Sequence, residues 1–337
     1  MDAIVLVGGQ GTRLRPLTRT RHKSLVPVCN RPAIAYLFEW LQRSGVQRAV
    51  LAIGRDNEDL AEAYPSGTAH GIEIVQVLEH ERLESGGAIR NAVRAAAIQG
   101  RFIVVNGDVF VDFDLAPALA MHERTAADLT LALCPVDDPS QFGVAVVDEQ
   151  SMVTGFVEKP PPGTAPSRLV NAGVWVFEPG LVDEIPAGAV RVEDTLFPSL
   201  VARRRNVLGY RFDGTWADIG TPARYLALNR ALLSAGAGTS FGDSVAVDPS
   251  ADVTVSSLGA GTTIGTGAVV HGSVLWERVT IGKDARVADS ILADGVSVGA
   301  GATVTGAIIG SEATIDPGAA VPPGTGVEPR TRYHAGQ

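Results

Sequence analysis

The 337-residue sequence predicts an α/β domain with a mixed, mostly parallel sheet, followed by an all-β solenoid. Three observations support this fold class. Apolar, strand-like runs alternate with helix-like segments over residues 1–110. Mostly β-patterned segments then extend from Leu129 to Phe177. Beyond residue 235 the charged residues thin out and a 17-residue repeat begins.

The first part of the chain has the pattern of strands and helices in alternation. Met1 to Val7 is apolar apart from Asp2 and is followed by two glycines, as expected for a central buried strand. A helix is predicted over residues 32–44, with proline at its start and glycine after its end. Ser85 is predicted to cap a helix that runs from about Gly87 to Ala97. The loop after Val7 and the polar residues 106–108 both follow predicted parallel strands, so we expect them at the same edge of the sheet. Ligands of such sheets bind at this edge, at the carboxyl ends of the strands.

The C-terminal repeat is visible in two columns of residues. The first is aliphatic and the second, four positions later, is alanine; the period is 17 residues in both. This pattern predicts a solenoid of hexapeptide-like β units, about three to a coil, with the aliphatic column inside. The aliphatic column comprises Val247, Ile264, Ile281, Val298 and Ile315, and the alanine column Ala251, Ala268, Ala285, Ala302 and Ala319.

Composition excludes several classes of protein. The net charge of −9 argues against a nucleic-acid binder, whose charge would be basic and clustered. Cys29 and Cys134 are far apart without metal-ligand spacing, so we expect reduced, structural cysteines. No apolar stretch approaches membrane-spanning length and no signal peptide is apparent, so we expect no membrane partner and a cytoplasmic location.

A glycine-rich loop, Gly8-Gly9-Gln10-Gly11, leaves the first predicted strand, and five Arg or Lys residues follow between Arg13 and Lys23. Backbone N–H groups of such a loop approach an anion closely, so the sequence predicts a polyphosphate site. The dinucleotide fingerprint fits poorly because Leu14 replaces its third glycine, and the P-loop pattern is absent. A lone glycine loop would fit a tight turn with solvated arginines equally well.

The longer string GGQGTRLRPLT…K…VPV over residues 8–28 resembles the signature of the sugar-1-phosphate nucleotidyltransferases, and most closely their GDP-mannose pyrophosphorylase branch. The resemblance implies a Rossmann-like catalytic domain over residues 1–235, a left-handed β-helix over 236–327 and a tail over 328–337. It further implies Mg²⁺-dependent transfer of a guanylyl group from GTP to a mannose-1-phosphate-like sugar 1-phosphate, with release of pyrophosphate. Another NTP, another sugar or cyclitol 1-phosphate, a bifunctional acyltransferase and a non-catalytic regulatory subunit remain alternatives.

The resemblance also assigns roles to individual residues. Arg13 and Lys23 would contact the triphosphate and stabilise charge on the departing pyrophosphate. Asp108 and Asp218 would bind the metal, since Mg²⁺ prefers one or two carboxylates together with phosphate oxygens. Arg13, Lys23, Asp108 and Asp218 are thus the predicted catalytic residues. The predicted nucleotide site comprises Leu6, Gly8, Gly9, Gly11, Thr12, Arg13, Lys23, Glu81, Gly86 and Gly87, and the sugar-phosphate site Gly143, Glu158, Lys159 and Asn171.

Three features limit these assignments. Glu84-Ser85 stands where the family usually has Gly-Thr; a carboxylate there could accept hydrogen bonds from guanine, but the base stays open. Arg19 and Arg21 are interpreted as possible surface charge. His271 is the one histidine of the repeat array and would be the general base that the acyltransferase alternative needs. The array itself is interpreted as an oligomerisation element of a homodimer or homotetramer.

Overall fold

The computed structural model describes residues 1–236, 238–334 and 336. By their contacts they form two compact units. The first unit contains Met1–Gly9 and Ile34–Trp216, and the second Gln10–Ala33 and Ala217–Gln337. The glycine-rich loop is therefore divided, with Gly8 and Gly9 in the first unit and the basic segment in the second. The boundary at residue 235 stays a prediction.

The first unit is an α/β sheet domain, as predicted. Its elements, with those of the adjoining segment 27–33 given in chain order, are β1 (Asp2–Leu6), β2 (Pro27–Val28), β3 (Arg31–Pro32), α1 (Ala33–Arg43), β4 (Arg48–Gly54), α2 (Glu58–Ala63), β5 (Gly67–Ala69), β6 (Ile72–Glu79), α3 (Glu84–Ala95), β7 (Phe102–Asn106), β8 (Val109–Asp112), α4 (Ala116–Arg124), β9 (Leu129–Pro135), β10 (Gly143–Val147), β11 (Val153–Glu158), β12 (Leu169–Phe177), α5 (Leu196–Ala202) and β13 (Val207–Arg211).

Four strands form the parallel centre of its sheet in the order β7-β1-β4-β6. The antiparallel part adds β12, β10 and β11 beyond β7 and β5 beyond β6, while β9 pairs with both β12 and β13. Central residues such as Ile4, Val50 and Val104 are fully buried, which explains the apolar composition of these runs. The mixed, mostly parallel sheet predicted from the sequence is confirmed.

One local prediction is wrong. The helix predicted to start at about Gly87 behind a Ser85 cap begins at Glu84, and Ser85 lies in its first turn. The Ser85 hydroxyl instead donates to Glu193 Oε2 at 2.6 Å and accepts from the backbone N–H of Val192 at 3.0 Å. A partner 108 residues away in sequence has taken the hydroxyl that local pattern assigned to the cap.

The second unit combines the segment 10–33 with one long helix and the solenoid. β14 (Thr215–Asp218), of which only the last two residues belong to this unit, leads into α6 (Pro222–Ala235). The N-cap of α6, Thr221, accepts from Arg224 N, and its first residue is proline. Short 3₁₀ turns at Thr12–Leu14, Leu17–Arg19 and Lys23–Leu25 precede the β2–β3 hairpin.

The solenoid is a parallel β-helix with three sheets, consistent with the left-handed form. Successive coils pair at a spacing of 17 residues, for example Ile264 with Ile281 and Ile281 with Val298. Ile264, Ile281, Val298 and Ile315 are buried inside, as predicted, whereas Val247 on the first coil is 37% exposed. The strands, β15 to β31 in chain order, are Ser240–Phe241, Ala246–Val247, Asp252–Thr254, Ser257–Leu258, Thr263–Ile264, Val269–His271, Val274–Leu275, Thr280–Ile281, Arg286–Ala288, Ile291–Leu292, Ser297–Val298, Thr303–Thr305, Ile308–Ile309, Thr314–Ile315, Ala320–Val321, Gly326–Val327 and Arg332–Tyr333.

Two expectations from composition can be compared with the structure. Cys29 and Cys134 are both free cysteines. Among the described residues, no helix is long and apolar enough to cross a membrane.

Candidate active site

The first half of the glycine loop is fixed at the carboxyl ends of the parallel strands. Asn57 donates to the carbonyl of Val7 at 2.9 Å, just after β1. Gly8 lies so close to Gly54 that a Cβ on Gly54 would be 3.2 Å from Gly8 O. A Cβ on Gly8 would lie 3.3 Å from Oε2 of Glu79, the last residue of β6. Leu6, the end of β1, and the pair Gly8-Gly9 thus lie at the strand ends where ligands of parallel sheets bind.

Glu79 is a candidate that the sequence reasoning missed. Its side chain is buried, with 4% of the residue exposed, and no described residue is a hydrogen-bond partner of Oε1. Burial raises the pKa of the Glu79 carboxyl, while a hydrogen bond from the backbone of Leu83 opposes that shift. An unsatisfied buried carboxylate oxygen is costly and therefore marks a position where a ligand can bind. The available signal in the sequence was an acidic residue at the end of a strand of alternating apolar and polar residues.

The second half of the loop is a compact turn that holds Lys23. Gly11 has φ +60°, and a Cβ there would lie 3.0 Å from Thr18 Cγ2 and 3.1 Å from Lys23 Cβ. Thr18 donates to Gly11 O at 2.8 Å. Glycine is required at this left-handed, crowded position, and the turn brings the Lys23 Cβ next to Gly11. Thr12 and Arg13 are exposed on the first 3₁₀ turn.

Arg13 and Asp218 meet at Gly220. A Cβ on Gly220 would lie 2.8 Å from Arg13 Nη2 and 2.7 Å from Asp218 Oδ1. The same Oδ1 accepts from Gly220 N at 2.6 Å and from Arg224 Nη1 at 3.3 Å. Thus two predicted catalytic side chains, 205 residues apart by their numbers, share one backbone position of the second unit.

Asp108 lies in the tight turn between β7 and β8 and is half-buried. The preceding Gly107 donates its N–H to Leu6 O at 3.0 Å, which fixes the turn beside the end of β1. Among the described residues, no group of three or more His, Cys, Asp or Glu side chains is placed to hold a metal ion. Magnesium does not require such a cage, because one or two carboxylates suffice when substrate phosphates and water complete the shell. Asp108 in the first unit and Asp218 in the second each carry a carboxylate, the type of hard oxygen donor that this ion prefers.

The predicted sugar-phosphate residues lie together in the first unit. A Cβ on Gly143 would lie 2.8 Å from Glu158 Oε2. Glu158 Oε1 accepts from Arg191 Nη2 at 2.8 Å and pairs with Lys159 Nζ at 3.0 Å. Arg191 was missed by the sequence analysis, since nothing in its local pattern marks it.

The side chain of Asn171 on β12 accepts two hydrogen bonds. Its Oδ1 accepts from Trp175 Nε1 at 2.6 Å and from Gly173 N at 3.0 Å. The indole of Trp216 donates to the carbonyl of Ala172 at 2.9 Å and so makes a second contact with the same strand. These bonds explain the Asn-Ala-Gly sequence as a built bulge and orient the Asn171 amide.

The segment predicted to bind the base, residues 81–89, packs mainly against residues 185–193. A Cβ on Gly86 would lie 2.9 Å from Val190 O, and one on Gly87 2.6 Å from Gly188 O. Close packing therefore already accounts for both glycines. Glu81 is exposed, and Glu84 pairs with Arg82 at 2.8 Å. Glu84 thus has a partner of its own, unlike Glu79 Oε1.

These features define an α/β enzyme with a glycine-rich loop after its first strand and a C-terminal β-helix. Residues 2–235 match the nucleotidyl transferase family model, and residues 244–334 match the C-terminal hexapeptide domain of GlmU-like proteins. The chain belongs to the nucleotidyl transferase family.

Named relatives agree with this placement. Mannose-1-phosphate guanylyltransferase of Mycobacterium tuberculosis is 35% identical, with 83% of this chain and 80% of that protein covered. Mannose-1-phosphate guanyltransferase of Schizosaccharomyces pombe is 32% identical over 75% and 73% of the two chains. Among solved structures, HddC from Yersinia pseudotuberculosis, complexed with GMP-PN, is 25% identical with a TM-score of 0.59; the match covers 68% of this chain and 99% of that one.

Proposed function

We propose that this enzyme transfers a guanylyl group from GTP to mannose 1-phosphate or a closely similar sugar 1-phosphate. A phosphate oxygen of the sugar phosphate attacks the α-phosphorus of GTP, the bond to the β-phosphate breaks, and GDP-sugar and pyrophosphate form. The family membership and the names of the relatives support the reaction class. The observation that carries the choice of base is Glu79, whose buried Oε1 lacks a described partner beside Gly8.

Guanine suits the Glu79 carboxylate. Its N1–H and N2 amine are neighbouring donors, and a carboxylate is an acceptor with two oxygens. Adenine presents one donor, its N6 amine, beside an acceptor at N1, so the carboxylate oxygen that faces N1 would stay unsatisfied. Rejection of a base that leaves a buried polar group unpaired is stronger than rejection by shape alone. Glu81, exposed on the following turn, stays the competing candidate.

Catalysis would depend on charge neutralisation and positioning, because phosphoryl-type displacements need little covalent help from the protein. Backbone groups of Gly8, Gly9, Gly11 and Thr12 would hold the triphosphate, while Arg13 and Lys23 neutralise charge on the leaving pyrophosphate. We propose Asp108 and Asp218 as ligands of magnesium, which supplies further neutralisation of phosphate charge when bound.

Glu158 and Lys159 would bind different parts of the sugar 1-phosphate. The Glu158 carboxylate accepts from sugar hydroxyls, and Gly143 leaves it room. The Lys159 ammonium, on an exposed side chain, binds phosphate as a point charge. Asn171, oriented by Trp175, would add a contact to a hydroxyl.

We also propose a domain boundary at residues 235/236, with a β-helix to residue 327 and a tail from 328. The β-helix would join copies of the chain in a homo-oligomer. A cytoplasmic location is proposed because both cysteines are free, as is usual in a reducing compartment.

The decisive experiment is a pyrophosphate-release assay that crosses a panel of nucleoside triphosphates with several sugar 1-phosphates in excess Mg²⁺. We expect the highest kcat/KM for GTP with mannose 1-phosphate. A higher value for UTP, dTTP or ATP would contradict guanylyl transfer, and a higher value for another sugar would contradict the mannose assignment alone.

A further inference from the structure

The signature segment from Gln10 to Ala33 is attached to the β-helix at several points. By its contacts it belongs to the same compact unit as the solenoid. At its centre, Arg21 Nη2 lies 2.9 Å from Asp294 Oδ2, and the guanidinium carbon lies 4.9 Å from the centroid of the Trp276 ring. The neighbouring Thr20 hydroxyl lies 2.8 Å from that of Ser311.

The contact is a built anchor rather than a chance surface pair. The side chains of Arg21 and Asp294 are only 24% and 15% exposed. The other carboxylate oxygen of Asp294 accepts from the backbone N–H of Glu277 at 3.1 Å, so the carboxylate is fixed from both sides. Burial raises the pKa of Asp294, and the positive charge of Arg21 opposes that shift. The interpretation of Arg21 as plain surface charge is therefore wrong.

Trp276 extends the anchor to α6 and to the end of the segment. Its ring is buried, and its Nε1 donates to the hydroxyl of Tyr225 at 3.1 Å. Tyr225 is fully buried and donates in turn to the carbonyl of Pro27. The side-chain amide of Asn30 donates to the Ser240 hydroxyl at 3.0 Å and accepts from the Ser257 hydroxyl at 2.9 Å. The β-helix thus holds the segment on both sides of Lys23.

We propose that Arg21 and Asp294 are positioning residues for nucleotidyl transfer, and that the β-helix serves as the scaffold that holds Lys23 and Arg13 in place. Lys23 is two residues from Arg21, on the 3₁₀ turn that follows it. Small displacements of groups that stabilise a transition state are expensive, and about 1 Å can cost roughly 100-fold in rate. This inference rests on the proposed function, because it requires Lys23 and Arg13 to act on the triphosphate.

The test uses the full chain in four forms: wild type, Arg21→Gln, Asp294→Asn and the double variant. Arg330→Gln is the matched control, since Arg330 also pairs with a β-helix carboxylate, Glu312, at 3.1 Å but is exposed. We expect both single variants to lower kcat about tenfold with little change in KM for the sugar 1-phosphate. The double variant should be no worse than either single one, since both remove one contact. The control should match the wild type.

Hydrogen exchange of peptides covering residues 12–25 supplies a readout that needs no substrate. We expect faster exchange there in both single variants, with the β-helix peptides unchanged, and no effect of Arg330→Gln. Arg21→Gln alters the segment side alone, so it remains informative if Asp294→Asn fails to fold. Wild-type exchange and wild-type kcat in Arg21→Gln would overturn the inference. A wild-type enzyme inactive on every substrate pair would contradict the proposed function instead, while the exchange comparison would still decide whether the anchor holds.

Discussion

Arg191 Nη2 lies 2.8 Å from Glu158 Oε1, so one guanidinium holds the carboxylate proposed to bind the sugar. The same nitrogen lies 3.9 Å from Glu193 Oε1, and Glu193 accepts a hydrogen bond from Ser85 on α3. Burial raises the pKa of the Glu193 carboxyl, and the Ser85 hydrogen bond opposes that shift. Arg191 therefore links the sugar segment to the helix of the base segment.

Arg191→Ala is expected to raise KM for the sugar 1-phosphate about tenfold and to change KM for GTP less. Glu158 would lose its fixed orientation, and a charged hydrogen bond is worth roughly 1.5–3 kcal/mol. Steady-state kinetics with each substrate varied in turn measures both constants. Arg43→Ala is the control, since Arg43 forms an exposed pair with Asp112 at 2.9 Å. An unchanged KM for the sugar 1-phosphate would exclude this role.

Glu79→Gln is expected to lower kcat/KM for GTP by about 10- to 100-fold, because an amide offers guanine one acceptor and no charge. Rates with UTP or ATP, slow in the wild type, should change little, so the preference for GTP narrows. Glu81→Gln, made in parallel, tests the exposed alternative. If Glu81→Gln loses the preference and Glu79→Gln keeps it, the base-binding carboxylate has been assigned to the wrong residue.

Gly220→Ala is expected to lower kcat about 100-fold or more without unfolding the protein. The added methyl group would lie within 2.8 Å of both Arg13 Nη2 and Asp218 Oδ1, so at least one of them must move. Gly100→Ala is a matched control, since a Cβ there would meet no atom of a described residue within 4 Å. Circular dichroism checks the fold, and pyrophosphate release measures kcat. Equal activity of the two variants would contradict a catalytic role for this pair.

Asp108→Asn and Asp218→Asn are each expected to abolish turnover while the protein stays folded, because an amide cannot supply the carboxylate charge that Mg²⁺ prefers. Titration of activity with Mg²⁺, and its loss in excess chelator, complete the measurement. Asp112→Asn, on the exposed end of β8, is the control. Full activity of either site variant, or of the wild type in chelator, would eliminate the two-carboxylate metal site.

Because His122 is buried, we expect the protein to lose stability in mild acid. His122 is fully buried, with Nδ1 2.7 Å from Thr130 Oγ1 and Nε2 3.1 Å from Glu178. Burial lowers the pKa of His122, although Glu178 opposes that shift. The unfolded state therefore binds a proton first, so stability is complete above about pH 6.5 and falls as the pH drops from there toward the folded pKa.

Urea unfolding between pH 5 and pH 8 measures this slope. The His122→Asn variant should be less stable than the wild type at pH 8. Its free energy of unfolding should depend less steeply on pH, by up to roughly 1.4 kcal/mol per pH unit. His271→Asn is the matched substitution for comparison, since it replaces an exposed histidine on β20 of the β-helix. The same slope in His122→Asn and wild type would show that another group titrates.

The sequence alone determined what depends on local pattern. An apolar run that ends at a glycine pair specifies the central strand β1, because apolar side chains fit a strand buried on both faces. The period of 17 residues specifies the β-helix, because every coil must put the same residue inside. The long signature around Gly11 and Lys23 predicted the reaction class that the family match confirms.

The tertiary structure decided what depends on partners distant in sequence. Glu79 stands out only once its burial beside Gly8 is known, with no described residue as a hydrogen-bond partner of its Oε1. Arg191 stands out only once its contact with Glu158 is known. Arg21 looked like surface charge because Asp294 lies 273 residues further along the chain. The reason is physical: the energy of a charge depends on its burial and its neighbours, and both are fixed by the fold rather than by the adjoining sequence.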